Sequence, residues 1–191
     1  MFLLAFALGS GPSPSRDEFE RAALPYLPEI YRTAVGLLGG NRTEAEDLAQ
    51  DVFLEAWKSF HRFEPGTNIR AWLHKILVHR ASRFRRRLFQ LLPFGNKDEE
   101  RGDLPAGEIP VEIAVPDYLS DRQVVNAVAN VPAPFRETLI LADIREFSYQ
   151  EIASMTGVPI GTVMSRLSRG RKLLREGLSA VAAERGIGGE K

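Results

Sequence analysis

The chain has 191 residues, with 25 Lys and Arg against 25 Asp and Glu, for a formal net charge of +0. That length allows one large domain or two small ones. It contains no Cys, which excludes disulfides, thiolate metal sites and cysteine nucleophiles.

The zero net charge hides a segregation along the chain, taken up below. The His residues are His61, His74 and His79. The last two are five apart, so on a helix they lie on different faces and make a poor metal pair. No Gly-rich phosphate loop, nucleophile elbow or paired metal-binding motif is visible. The expectation is a protein that is not an enzyme and needs no cofactor or metal.

In chain order, the first stretch is MFLLAFALGSG. It is apolar, lacks a basic start and falls below the ~20 residues of a membrane span. Residues 1–14 are read as a disordered tail on a cytoplasmic protein with no membrane segment. Ser15-x-x-Glu18 is a capping box. It opens a short helix with Phe19, Ala22 and Ala23, which Pro25 interrupts. Pro28 starts the next helix, with Ile30, Tyr31, Ala34, Leu37 and Leu38 as its apolar set, and Gly39-Gly40-Asn41 ends it. Thr43-x-x-Glu46 reads as another capping box. The helix after it places Ala45, Leu48, Val52, Ala56 and Phe60 on an inner stripe. Glu46, Asp47, Gln50, Asp51 and Glu55 fall on its outer face, which on spacing alone is solvated surface.

Pro65 and Gly66 then make a turn. The helix from Ile69 to Arg87 follows, with Trp72, Leu73, Ile76, Leu77 and Phe84 as its apolar residues. It also carries Arg70, Lys75, Arg80, Arg83, Arg85, Arg86 and Arg87, with no acidic residue in the same segment. Such an excess is an electrostatic footprint for phosphate. Phe60, Phe63 and Trp72 lie nearby as stacking candidates, although Trp72 is the better core residue. The first domain spans 15–92.

Residues 93–119 hold four Pro, several Gly and a run of acidic residues. They read as a flexible acidic linker. At ~3.3 Å per residue it reaches about 90 Å when extended. The second domain, 120–180, opens at Ser120-x-x-Gln123. Val124, Val128 and Val131 mark one helix, and Phe135, Leu139, Ala142 and Ile144 the next.

The stretch from Phe147 to Arg175 reads as helix, corner, helix. Ser148-x-x-Glu151 is a capping box, Gly157 supplies the positive φ of a helix end, and Pro159 suits the first turn of the next helix. Val163, Leu167, Gly170 and Leu174 form a buried stripe. Thr162, Ser165, Arg166, Arg169 and Lys172 share the other face. This is a helix-turn-helix whose second helix suits a DNA major groove. Residues 181–191 are a tail.

The wording of two stretches is also familiar. SYQEIA with GVPIGTVMSRLSRGRKLL resembles region four of bacterial RNA polymerase sigma factors of the extracytoplasmic-function (ECF) subfamily. AEDLAQDVFLEAW followed by FEPGTNIRAWLHKIL resembles region two of the same subfamily, in the same order. The fold expected is all-α, with two small helical domains joined by a flexible acidic linker. The resemblance implies that Asp47, Gln50 and Asp51 contact the clamp helices of the largest subunit of core RNA polymerase. It implies that Phe63, Asn68, Lys75, His79, Arg80 and Arg83 capture and melt the minus-ten element. Thr162, Ser165, Arg166, Arg169 and Lys172 would read the minus-thirty-five element of promoter DNA. His79 stands where the WL-x-x-I-x-x-N pattern of the family has Asn. FEPGTN and PIGTVMSRL resemble the branch controlled by zinc-binding anti-sigma proteins, so an anti-sigma factor is an expected partner. Two rivals remain: a free-standing helix-turn-helix regulator, and a sigma-like protein that sequesters another regulator.

Overall fold

A computed structural model describes residues 16–91 and 122–184. The N-terminal tail, the Ser15 cap, the linker, the Ser120-x-x-Gln123 start and the extreme C-terminus lie outside them, wholly or in part. Among the described residues the ordered elements are helical. Helix α1 is Arg16–Ala23, α2 is Leu27–Leu37, α3 is Arg42–Ser59 and α4 is Ile69–Leu91. After the linker come α5, Arg122–Ala129, and α6, Ala133–Leu139, which runs on into a π-helical turn, Ile140–Ile144. Helices α7, Tyr149–Thr156, and α8, Ile160–Glu184, complete the chain.

Local chemistry explains most boundaries. Pro28 sits in the first turn of α2, where its missing N–H costs nothing. Gly39 and Gly40 take φ values of 64° and 93°, which turns the chain sharply after α2. One expected cap moves. Asn41, not Thr43, caps α3, its side chain accepting the Glu44 N–H. The two glycines leave Asn41 extended just ahead of the helix, so its short amide side chain reaches the first turn before Thr43 can. The Ser148–Glu151 box forms as read, and Gly157 closes α7 at φ 71°. Pro159 falls one place earlier than expected. Its carbonyl accepts from Thr162 and Val163, so it precedes α8 rather than lying within it.

The predicted inner stripes are buried. Ile30, Ala34 and Leu37 from α2 meet Ala45, Leu48, Val52 and Ala56 from α3, and Leu73 and Leu77 from α4. Phe60 stacks on Phe63 at 5.7 Å, and both lean on Trp72. In the second half, α6 lies close against α8. A Cβ on Gly170 would stand 3.1 Å from the Phe135 carbonyl, so only glycine admits this approach without a shift.

The two halves also pack on each other. Val128 and Ile140 join the core of the first half, while Val78 of α4 joins Leu141, Phe147, Ile152, Met155 and Val163 of the second. Gly36 of α2 is the contact point for Ile140, whose Cδ1 stands 2.8 Å from where a Cβ would be. Polar groups cross the same boundary. Arg136 donates to the carbonyls of Ala129 and Val131 in its own half and to Leu37 O of α2 at 3.2 Å. Arg85 pairs with Glu137 at 2.9 Å. Arg145 Nε donates to the Thr33 hydroxyl at 2.7 Å, and Arg70 donates to the Arg145 carbonyl at 2.7 Å.

His74 lies fully buried in this boundary. Its Nδ1 is 2.9 Å from the Arg70 carbonyl, which sets the neutral tautomer with the proton on Nδ1. Its ring meets Phe147 edge-on at 4.8 Å. Nε2 faces the Thr33 hydroxyl at 3.4 Å and Glu29 at 3.6 Å, with Arg70 and Arg145 beside it. Burial pushes its pKa down from 6.5 to about 4, against a smaller upward pull from the Arg70 carbonyl and Glu29. The unfolded chain therefore takes up this proton first as pH falls. The stabilisation is complete above the unfolded pKa and is lost as pH drops toward the folded one. At 1.36 kcal/mol per unit the whole effect is about 3 kcal/mol. Urea unfolding between about pH 6.5 and 5, above the carboxylate range, should show stability falling with pH. A His74→Gln chain should show a flatter slope over that window.

Candidate nucleic-acid interface

Three surfaces follow from these elements. The first is the outer face of α3. Asp47, Gln50 and Asp51 are exposed there, and Leu54 and Trp57 continue the same strip at 56% and 43% exposure. Trp57 meets Phe19 edge-on at 5.3 Å, and with Leu54 it leaves an apolar strip beside the exposed carboxylates of the kind that a neighbouring protein can cover. The sequence alone points to the polar residues Asp47, Gln50 and Asp51 and not to Leu54 and Trp57. The signal for the apolar pair was present in the spacing, since 47, 50, 54 and 57 share one helix face.

The second surface is the turn before α4 and the outward face of that helix. Thr67 closes the turn by bonding Glu64 O through both its N–H and its hydroxyl, at 3.1 and 2.7 Å, and Gly66 takes φ 88°. Asn68 caps α4, its side-chain oxygen accepting from Ala71 N at 3.1 Å. Its amide nitrogen stands 3.4 Å from Glu151 of α7. Phe63 is half-buried between Phe60 and Trp72. Lys75, His79 and Arg83 are exposed at four-residue intervals, so they stand in line along one side of α4. Arg80 is set apart from them, bonded to Glu55 of α3 at 2.6 Å. The acids that offset this helix come from other elements: Glu29 meets Arg70, Glu55 meets Arg80 and Glu137 meets Arg85.

The third surface is the start of α8. Val163 and Leu167 are buried, while Ser165 and Arg169 are exposed and Thr162 and Arg166 half-exposed. The Ser165 hydroxyl donates to Thr162 O at 3.0 Å. Lys172 lies 3.9 Å from Glu176, a loose solvated pair. Arg171 turns to the other side and clasps Asp143 with two bonds of 3.0 and 2.6 Å, which hold its pKa above the usual arginine value. It braces α8 on the π-helical turn and leaves Arg166 and Arg169 as the outward guanidiniums at this end. Ile160 and Met164 are exposed beside them, at 44% and 55%.

The capping box also has an electrostatic side. Hydrogen bonds from the Ser148 hydroxyl and N–H hold the Glu151 carboxyl below the usual carboxylate range. Glu151 thus stays ionised next to Asn68. None of the three surfaces gathers a cluster of potential metal ligands among the described residues. No described helix is long and apolar enough to cross a membrane.

Comparisons with known proteins cover both halves of the chain. Residues 23–88 match the Sigma-70 region 2 family, and residues 121–174 match Sigma-70, region 4. The chain is 34% identical over 178 residues to the ECF RNA polymerase sigma factor SigE of Mycolicibacterium smegmatis, covering 90% of this chain and 64% of that protein. It is 30% identical to EcfG of Rhodopseudomonas palustris, covering 90% of this chain and 91% of that protein. Its fold is similar to the sigma factor RpoE of Bartonella quintana, solved with the anti-sigma factor NepR. That match has a TM-score of 0.65 and 32% identity, over 85% of this chain and 98% of that one. The fold is also similar to CnrH, solved with the cytosolic domain of CnrY, at a TM-score of 0.60 and 22% identity.

The inner and outer faces of α8 should separate in stability measurements. Leu167→Ala, which empties a buried site, should cost about 2–5 kcal/mol in urea unfolding. Arg166→Ala should stay within about 0.5 kcal/mol.

Proposed function

Since the chain belongs to the ECF subfamily of RNA polymerase sigma factors, we propose that its three exposed surfaces divide the work of promoter recognition. The acidic and apolar strip on α3, with Asp47, Gln50 and Asp51, docks on the clamp helices of the largest subunit of core polymerase. The outward face of α4, with Lys75, His79 and Arg83, takes the phosphates of the minus-ten element. Phe63 and Asn68 receive an unstacked base from the strand that is released. The start of α8 enters the major groove at the minus-thirty-five element, with Arg166 and Arg169 toward base edges and Thr162, Ser165 and Lys172 toward base edges and phosphates. The family consists of transcription regulators, and this reading gives the chain no reaction of its own. Its function is to direct core polymerase to promoters and help open them. An anti-sigma protein is the expected antagonist, in line with the NepR complex of the Bartonella quintana relative.

The observation that carries this reading is the partition of charge on α4. Inward guanidiniums are paired with acids, and the outward row is exposed, so the positive potential faces solvent on one side. A charge excess laid out this way binds phosphate through counterion release. His79 fits the row, because an imidazole can donate to phosphate or stack on a base where the family pattern has an amide.

Melting requires tighter binding to the open strand than to the closed duplex. Stacking one base on an aromatic ring contributes about 1–3 kcal/mol, comparable with the few kcal/mol that unstacking costs. Because Asn68 also caps α4, Asn68→Ser is the sharper probe than alanine. Serine keeps a capping oxygen and removes the amide. Phe63→Leu likewise keeps packing and removes the ring.

Run-off transcription with purified core polymerase on genomic templates tests the function as a whole. Transcripts with defined starts are expected, and their absence would overturn it. Asp47→Arg with Asp51→Arg should abolish co-elution with core polymerase at unchanged helicity. Phe63→Leu with Asn68→Ser should keep closed-complex footprints and lose permanganate-reactive thymines, with a premelted template restoring transcripts. A promoter-variant library read with Arg166→Ala should lose preference at one base. A uniform loss across the library would make Arg166 a phosphate contact.

A further inference from the structure

The outward stripe of α8 is not wholly polar. Gly161, Met164, Ser165, Ser168, Arg169 and Lys172 are exposed and recur at three and four residues, on the side away from buried Val163, Leu167 and Gly170. Met164 stands within this stripe at 55% exposure. Ile160, one turn before it, is 44% exposed.

The residues nearest Met164 on the stripe are small: Gly161 three places before, Ser165 next to it and Ser168 four places on. A Cβ at Gly161 would meet nothing within 4 Å, so internal packing does not call for glycine there. The missing side chain acts on the outside, where it lets the helix backbone come close to a ligand. The Ser165 hydroxyl is turned back to Thr162 O. Met164 is therefore the longest side chain over the first two turns of the stripe. Arg171, two turns further along the same side, is held by Asp143, so its guanidinium does not reach back over Met164.

This surface asks two things of a partner. From Ile160 to Arg175 the sequence has Arg166, Arg169, Arg171, Lys172 and Arg175 and no acidic residue, so the partner is anionic around the stripe. Ile160 and Met164 call for an apolar group within it. A DNA major groove offers both, with phosphates along its walls and the 5-methyl group of each thymine on its floor. Methionine suits such a contact, because its unbranched thioether adapts to an irregular surface.

We propose that Met164 reads a thymine of the minus-thirty-five element by apolar contact with its 5-methyl group, with Ile160 closing one side of the contact. The inference rests on the proposed placement of α8 in that element and adds a specificity determinant that makes no hydrogen bond. An arginine on a guanine edge selects through paired donors and acceptors. A methionine on a methyl group selects through the area it removes from water, so it distinguishes thymine from cytosine by the methyl that cytosine lacks.

The test uses the full chain with core polymerase on a promoter recovered by run-off transcription. Each thymine of the footprinted minus-thirty-five element is replaced in turn by deoxyuridine, which removes the methyl group and keeps the hydrogen-bonding edge. With the wild-type chain, one position should lose closed-complex affinity by about fourfold, the effect of leaving one methyl group unburied. Met164→Ala should bind the thymine and deoxyuridine templates equally at that position and keep the wild-type responses at the others. Met164→Leu, which keeps a large apolar side chain, should retain the preference. Both substitutions lie on exposed surface and should leave the urea midpoint unchanged.

A wild-type chain indifferent to every thymine methyl, or a Met164→Ala chain with an undiminished preference, would overturn the proposal and leave the placement of α8 standing. The second result, with both templates weakened equally, would put Met164 against a protein instead. Failure of the chain to direct core polymerase to any promoter would overturn the proposal together with the sigma-factor reading.

Discussion

The guanidinium of Arg136 is the contact on which the arrangement of this molecule depends. It is buried, at 2% exposure, and it lies where two helices end. Leu37 closes α2 and Ala129 closes α5, and the carbonyls of both accept from it. Helix C-termini carry partial negative charge and unpaired carbonyls. One cation thus satisfies groups from both halves of the chain. Burying a charge costs several kcal/mol unless its hydrogen bonds are met, so this side chain defines a geometry more than it adds stability. Gly39 lies close to the guanidinium, and its positive φ permits the turn that leaves Leu37 O available.

A related division governs α4. Its basic residues belong to two populations distinguished by what lies opposite them. Arg70, Arg80 and Arg85 face other elements and meet Glu29, Glu55 and Glu137. Lys75, His79 and Arg83 face solvent. The paired set positions the helix against α2, α3 and α6, and the exposed set is left for the proposed contact with phosphate. A helix with the same composition but no partners in α2, α3 or α6 would repel itself and present charge on all sides.

Much of this is legible in the amino-acid sequence. The inner stripes of α2, α3 and α8 fell where spacing put them, since burial of apolar residues at helical intervals is a local consequence of periodicity. The Ser148–Glu151 box and the Gly157 terminus also formed as read, because their partners lie within four residues. The α3 cap was misplaced by two residues. Asn41 was assigned to the end of α2, and the competition between two nearby capping side chains depends on the backbone that Gly39 and Gly40 adopt. The expected clamp and major-groove faces, at Asp47 and Arg169, are exposed as the pattern required. Arg80, grouped in sequence with the outward row, proved bonded to Glu55.

What the sequence determined by itself was the set of helices, their inner and outer faces, and the family. Each depends on residues near one another in the chain or on a motif read in order. Only the tertiary structure decided that the halves meet, and through what. Arg136, Arg145 and His74 read as ordinary charged or titratable residues of their helices. Their roles come from groups 112 residues away in the case of Arg145 and Thr33, and 99 in that of Arg136 and Leu37. No periodicity records such a separation. The buried guanidinium of Arg136 is specified by the carbonyls that surround it, and those are backbone atoms, present at every position and marked by no residue type.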